Sequence, residues 1–209
     1  MSDLEPRARA ASLLRDLGHE FVSRDLDAEE LTALGDRIDA LLADLRRAPA
    51  RVRSFRAGSH DEFMSVVPHY GRDAPRALFS DSVVSGAGNP MGLGAYLWRD
   101  GDQAVMEVTL RRAFEGAPDR AHGGIVAALI DETIGLVLAI HGRLALTAKL
   151  AITYRAPTPV DTPLVARAWL EGQDGRKLDL RAQLRAGEVL VAEATALFIE
   201  VDPANFRRE

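Results

Sequence analysis

The alternation of apolar and polar positions divides the chain into two regimes. Up to residue 50 the period is helical: Leu31, Leu34, Ile38, Leu41, Leu42 and Leu45 recur at three- and four-residue steps on one face. Asp27, followed three residues later by Glu30, reads as a capping box at the start of that helix. A shorter helix is predicted before it, around 8–21. Together they form a helical hairpin over 1–50 that packs on the main body or on a partner chain. From residue 93 the period falls to two. Runs at 93–99 and 104–112 alternate around the turn Asp100-Gly101-Asp102. A long helix is predicted over 122–141, and four more alternating runs follow. In the first of these Leu146, Ala148, Leu150, Ile152 and Tyr154 share one face, and Thr147, Lys149, Ala151, Thr153 and Arg155 the other. Runs at 164–171, 177–185 and 189–200 complete the order β-β-α-β-β-β-β. The helix is apolar nearly all round, so it cannot lie on a surface and the sheet must wrap it.

Between the regimes, 48–92 is punctuated by Pro49, Pro68, Pro75 and Pro90 and by five glycines, the mark of an irregular connection draped over a domain. We assign 51–84 to that connection, 85–203 to the main domain and 204–209 to a tail. His60, Asp61 and His69 fall in the connection; their spacing matches no metal motif, and they read as loop residues.

The predicted helix raises a chemical question. It opens on His122-Gly123-Gly124 and carries Asp131 and Glu132 in its middle. The first turn of a helix has unsatisfied N–H groups and a positive dipole end, and glycine lets another group approach that backbone. The two glycines therefore either receive a partly negative oxygen, such as the oxyanion of an attacked carbonyl, or merely permit tight packing. An ionised carboxylate buried without partners costs several kcal/mol or more, so Asp131 calls for a function or a wet stripe. Glu132 reads as the solvated or ion-paired member of the pair. Gly124 and Asp131 lie two turns apart, on the order of 10 Å along the axis. One active centre needs them nearer, which points to a glycine from another copy of the chain. His122 is either a general base or a structural hydrogen-bonding residue at the helix entry.

Bulk composition narrows the class. The chain has 209 residues, 47% of them apolar and 27% charged, as in soluble globular proteins. It contains no cysteine, which excludes disulfides, thiolate metal sites and a thiol nucleophile, and fits a cytoplasmic location. The first residues lack a basic segment followed by an apolar run, so no secretory signal is expected. His, Gly and acids interrupt the apolar stretches, so no membrane span is expected. A net charge of −5 argues against nucleic acid as a partner, while local arginines leave room for an anionic ligand.

The stretch FEGAPDRAHGGIVAALIDETIG, followed by LTAKLAITYRAPTPVDTPLVARAWL and EATALFIEV, resembles the hotdog-fold thioesterases, most of all the PaaI-type branch and its acyl-CoA thioesterase relatives. The resemblance covers roughly 85–203. It implies an α+β fold in which an antiparallel sheet curls around one central helix, here with an N-terminal helical extension. It also implies a homodimer, open to further pairing into a tetramer, with active sites in the interface. The substrate is then an acyl-CoA thioester, and no metal or redox cofactor is needed. Carried over residue by residue, Gly123 gives its N–H to the thioester carbonyl, Asp131 acts as base or nucleophile, and Thr147 holds the water or carboxylate, with His122 beside them. Gly124 and Glu132 would line the substrate. Arg155, Arg111 and Arg112 are candidates for the CoA phosphates, because a planar guanidinium binds two oxygens at once. Some relatives carry an Asn six residues before the histidine; here that position is Gly116. The other readings are a non-catalytic hotdog protein that binds acyl-CoA as a sensor or carrier, and a hydratase. The hydratase would need a His–acid spacing that this chain does not have.

Overall fold

The computed structural model describes residues 4–51 and 80–202. His60, Asp61, His69, most of the connection and the tail lie outside the described residues. Helix α1 spans Leu4–Ser23 and α2 spans Ala28–Arg46. The capping box is formed: Asp27 accepts from the Glu30 N–H at 2.9 Å, and Glu30 accepts from the Asp27 N–H at 3.0 Å. The two helices differ in how they meet the body. Helix α1 docks through His19, whose Nδ1 accepts from the Ala113 N–H at 3.3 Å and whose ring meets Phe114 edge-on at 5.0 Å. Helix α2 has no buried residue, and Leu31, Leu41, Leu42 and Leu45 stand exposed on it.

The body is one six-stranded antiparallel sheet and one long helix. Strands β1 (Tyr96–Asp100) and β2 (Gln103–Thr109) form a hairpin, and a 3-10 turn (Arg112–Phe114) ends the second run earlier than its alternation suggested. A small hairpin, β3 (Glu115–Ala117) and β4 (Arg120–Ala121), was not legible in the pattern. Then come helix α3 (Gly123–Ile140) and strands β5 (Ala145–Tyr154), β6 (Pro163–Asp174), β7 (Lys177–Ala186) and β8 (Val189–Glu200). The sheet order is β1-β2-β6-β7-β8-β5, so β5 is an edge.

Helix α3 lies across β2, β6 and β7. Leu129, Ile130, Ile134 and Leu136 meet Leu97, Met106, Leu164, Leu180 and Leu184, all of them without accessible surface or nearly so. Each such side chain contributes roughly 1.5–3 kcal/mol on burial, and that is what draws the sheet around the helix. One expectation needs correction here. The 18 residues Gly123–Ile140 carry only two charges and are long and apolar enough to cross a membrane by length and composition; half of that window is buried against the sheet, as in a core helix.

The second correction concerns β5. Strict alternation put Thr147 opposite Leu150 and Tyr154. In the fold Thr147 pairs with Phe198 and Lys149 with Leu197, so Ala148 is an extra, bulged residue. A bulge re-aims the side chains on either side of it. Thr147 therefore joins Leu150, Ile152 and Tyr154 on the side facing α3, as its contact with Asp131 and their contacts with the helix and core establish.

Candidate active site

The mouth of α3 is built by short-range bonds. The His122 N–H donates to the Phe114 carbonyl at 2.8 Å and the Ala121 N–H to the Thr158 carbonyl at 2.9 Å, which fixes the entry of the helix. His122 is the N-cap: its Nδ1 accepts from the Gly124 N–H at 3.0 Å. An acceptor Nδ1 carries no proton, so in the neutral ring the proton sits on Nε2. The Ile125 N–H is taken by the His122 carbonyl at 2.9 Å. The Gly123 N–H is left without a hydrogen bond among the described residues.

The glycines answer to specific neighbours. A Cβ on Gly123 would stand 3.2 Å from the Tyr154 hydroxyl oxygen and 3.4 Å from Cζ; one on Gly124 would stand 3.1 Å from His122 Nδ1. Both lie at tight contact, so the two glycines admit two of the protein's own side chains as well as any ligand. Gly116 is the more stringent case. A Cβ there would lie 2.8 Å from His122 Cα and 3.0 Å from its Cδ2. The asparagine that some relatives carry at this place has no room beside His122.

Asp131 lies deeper on α3, half-buried, and Thr147 Oγ1 donates to its Oδ1 at 3.1 Å. Eight residues separate it from Gly123, roughly 12 Å along the axis, so one chain does not bring the two together. A cavity of about 550 Å³ opens instead at the helix mouth, lined among others by Arg120, His122, Gly123, Val126, Tyr154 and Arg155.

Several residues expected at the substrate are engaged elsewhere. The Gly124 N–H belongs to His122. Glu132 is half-buried, with no ion pair among the described residues: it accepts from the Ser82 hydroxyl at 2.6 Å, from the Ser85 N–H at 3.2 Å and from the Ser85 hydroxyl, and so ties the 80–92 loop to the helix. Arg111 pairs with Asp16 of α1 at 2.5 Å. Arg112 pairs with Glu115, Asp119 and Asp161 at 2.7, 2.8 and 3.1 Å. Arg155 reaches the cavity wall, paired with Glu193. Two residues were missed. Tyr154 donates its hydroxyl to the Gly123 carbonyl at 2.8 Å; its signal was a polar aromatic ending the strand after the helix. Arg120, exposed at the cavity, has no carboxylate partner among the described residues; its signal was a cation three residues before Gly123.

With this geometry in view, the likenesses to other proteins fall into place. Residues 119–197 match the thioesterase superfamily. Over 91 residues the chain is 41% identical to acyl-coenzyme A thioesterase THEM4 of Mus musculus, covering 43% of this chain and 39% of that one. It is 35% identical over 91 residues to the Xenopus laevis THEM4, covering 43% and 41%. The chain thus spans well under half the length of these curated relatives. A crystal structure of a thioesterase superfamily protein superposes with a TM-score of 0.76 at 24% identity, over 92% of this chain and 90% of that one. That breadth takes in the helical extension as well as the sheet and its helix, so that structure shares the fold of both. The wrapped central helix and this superposition give the chain a hotdog fold, and the segment that resembles the thioesterase superfamily begins at the helix mouth and runs through most of the sheet.

Proposed function

We propose that the chain hydrolyses an acyl-CoA thioester in a site shared between two copies. The observation that carries this reading is the Gly123 N–H at the open cavity, unpaired among the described residues and set at the positive end of α3. A thioester carbonyl oxygen accepts that N–H and gains more from it as negative charge develops on attack. The reacting carboxylate must come from elsewhere, because Asp131 of the same chain is too far along the helix. Strand β5 supplies the route. It is a ten-residue edge that, among the described residues, pairs only with β8, with Leu146 and Tyr154 about half exposed. Unpaired edges of this length call for cover, and a second copy pairing there would carry its Asp131 toward this Gly123.

In this mechanism Asp131, held by Thr147, takes a proton from water as the water oxygen attacks the carbonyl carbon. The tetrahedral oxyanion rests on the Gly123 N–H and the helix dipole. It collapses with cleavage of the C–S bond, and the CoA sulfur leaves and is protonated. Direct attack by Asp131, giving an anhydride that water then opens, uses the same groups. Neither route needs a metal or redox cofactor. The acyl chain lies along the apolar cavity wall. Arg120 supports contact with the phosphates, and Arg155 does so if it leaves Glu193.

The test is thiol release from a panel of acyl-CoAs, fatty and aryl, by wild type and Asp131→Asn. We expect release by the wild type and a loss of at least about a hundredfold in the variant, with unchanged melting. Undiminished turnover in the variant overturns the assignment. Tight CoA binding without release, equal in both proteins, identifies an acyl-CoA sensor or carrier instead.

A further inference from the structure

We infer that Tyr154 is a positioning residue of the oxyanion site, acting with His122 to hold one peptide unit so that its neighbour stays free. The inference rests on the thioester reading of Gly123 above. The peptide between Gly123 and Gly124 is bound at both ends by side chains: Tyr154 donates to its carbonyl at 2.8 Å, and its N–H donates to His122 Nδ1 at 3.0 Å. The next N–H, of Ile125, is used by the His122 carbonyl. Among the described residues, of the first three N–H groups of α3 only that of Gly123 is left for an incoming oxygen. A free helix start would leave several N–H groups to compete and the first turn to fray.

The strand that supplies Tyr154 also supplies Thr147. The two are seven residues apart, an odd number, so an unbroken strand would point them to opposite faces. The bulge at Ala148 removes that difference. One edge strand thereby braces α3 twice, at the carboxylate through Thr147 and at the mouth through Tyr154. Gly123 lets the ring come this close: an alanine there would press on the hydroxyl oxygen at 3.2 Å. The phenol reaches the substrate's hydrogen-bond donor through the backbone, so it acts on the reaction by geometry.

The experiment compares wild type with Tyr154→Phe and His122→Asn. Asparagine is a good N-cap and keeps an acceptor for the Gly124 N–H. Removing the phenol hydroxyl should lower kcat for acyl-CoA about tenfold, with KM within twofold. His122→Asn, which keeps an acceptor for the clamped peptide, should lower kcat less than Tyr154→Phe does. A raised KM at constant kcat in Tyr154→Phe, or no change in either constant, overturns the inference. A hundredfold loss of kcat in His122→Asn would make His122 the base and overturn it as well. Amide hydrogen exchange in the ligand-free protein provides a readout independent of turnover. The Gly124 amide should exchange at least about tenfold more slowly than that of Gly123, and His122→Ala should abolish the difference. Equal exchange in the wild type sinks the clamp whatever the activity. Absence of any thioester hydrolysis by the wild type sinks the catalytic reading and leaves the exchange pattern to judge the clamp.

Discussion

Thr147 donates its hydroxyl to Asp131 Oδ1 at 3.1 Å, from the residue immediately before the β5 bulge. The bond orients one carboxylate oxygen; in the mechanism proposed above, the carboxylate so held receives the proton of the attacking water. Thr147→Val keeps the shape and removes the donor. Turnover of acyl-CoA should fall roughly tenfold, the worth of one net hydrogen bond, and the melting temperature should barely move because the pair is only half covered. Initial rates and a thermal melt on the same preparation check both halves.

Arg120 should matter for CoA and not for short thioesters. Arg120→Ala should raise KM for acyl-CoA roughly tenfold or more, the range of a charge-assisted contact, with KM for an acyl-N-acetylcysteamine unchanged, since that substrate has no phosphates. Added salt should raise the wild-type KM and leave the variant nearly flat. Arg111→Ala should do neither, because its guanidinium serves Asp16 on α1; loosened docking of α1, read by limited proteolysis, is expected instead.

Glu132 is expected to act on stability. It gathers the Ser82 hydroxyl and both the N–H and hydroxyl of Ser85 against α3. Glu132→Ala leaves those part-buried donors unmet, at a cost of about 1–3 kcal/mol, seen as a lower urea midpoint at unchanged slope. Glu132→Gln keeps an acceptor and should fall between the two. An unaltered midpoint in Glu132→Ala would show that the loop is held by other contacts.

Acid should weaken the docking of α1. Burial first, and then the charge of Arg111, lower the His19 pKa below its ordinary value of 6.5, against the opposite pull of Asp16 and Asp161. A histidine with a lowered folded pKa binds its proton more readily in the unfolded chain. Its neutral form therefore supports the fold in full above about pH 6.5, and that support is lost as pH falls through the window between the unfolded and folded values. Protonation of Nδ1 would also end its acceptance from the Ala113 N–H. Denaturation midpoints between pH 7.5 and 5 should fall, and His19→Gln should flatten the dependence. Equal slopes in the two proteins would assign the effect to other groups.

Much of the fold was legible because burial imposes a period. The largely apolar helix at 123–140, the five long runs that became β2 and β5–β8, and the capping box at Asp27 and Glu30 follow from local pattern alone. The small hairpin β3–β4 was not legible, since strands of two and three residues leave no period to read. Nor was the partner of Glu132, because loop serines signal nothing until the loop is laid against a helix.

What the sequence by itself determined is the inventory: a greasy helix with two glycines at its start and an acid within it, and enough alternating runs to enclose it. Those are properties of composition and spacing, which hydrophobic burial turns into elements with no further information. Tertiary structure alone decided which groups remain available. Alternation placed Thr147 on the wrong side of β5, and only pairing with β8 made Ala148 surplus and turned Thr147 toward Asp131. In the same way, the equal-looking Gly123 and Gly124 became different once His122 folded back onto one N–H and Tyr154 arrived from a strand thirty-one residues away. A hydrogen-bonding group is spent or free according to which atoms stand within about 3 Å of it, and that is a property of the folded chain.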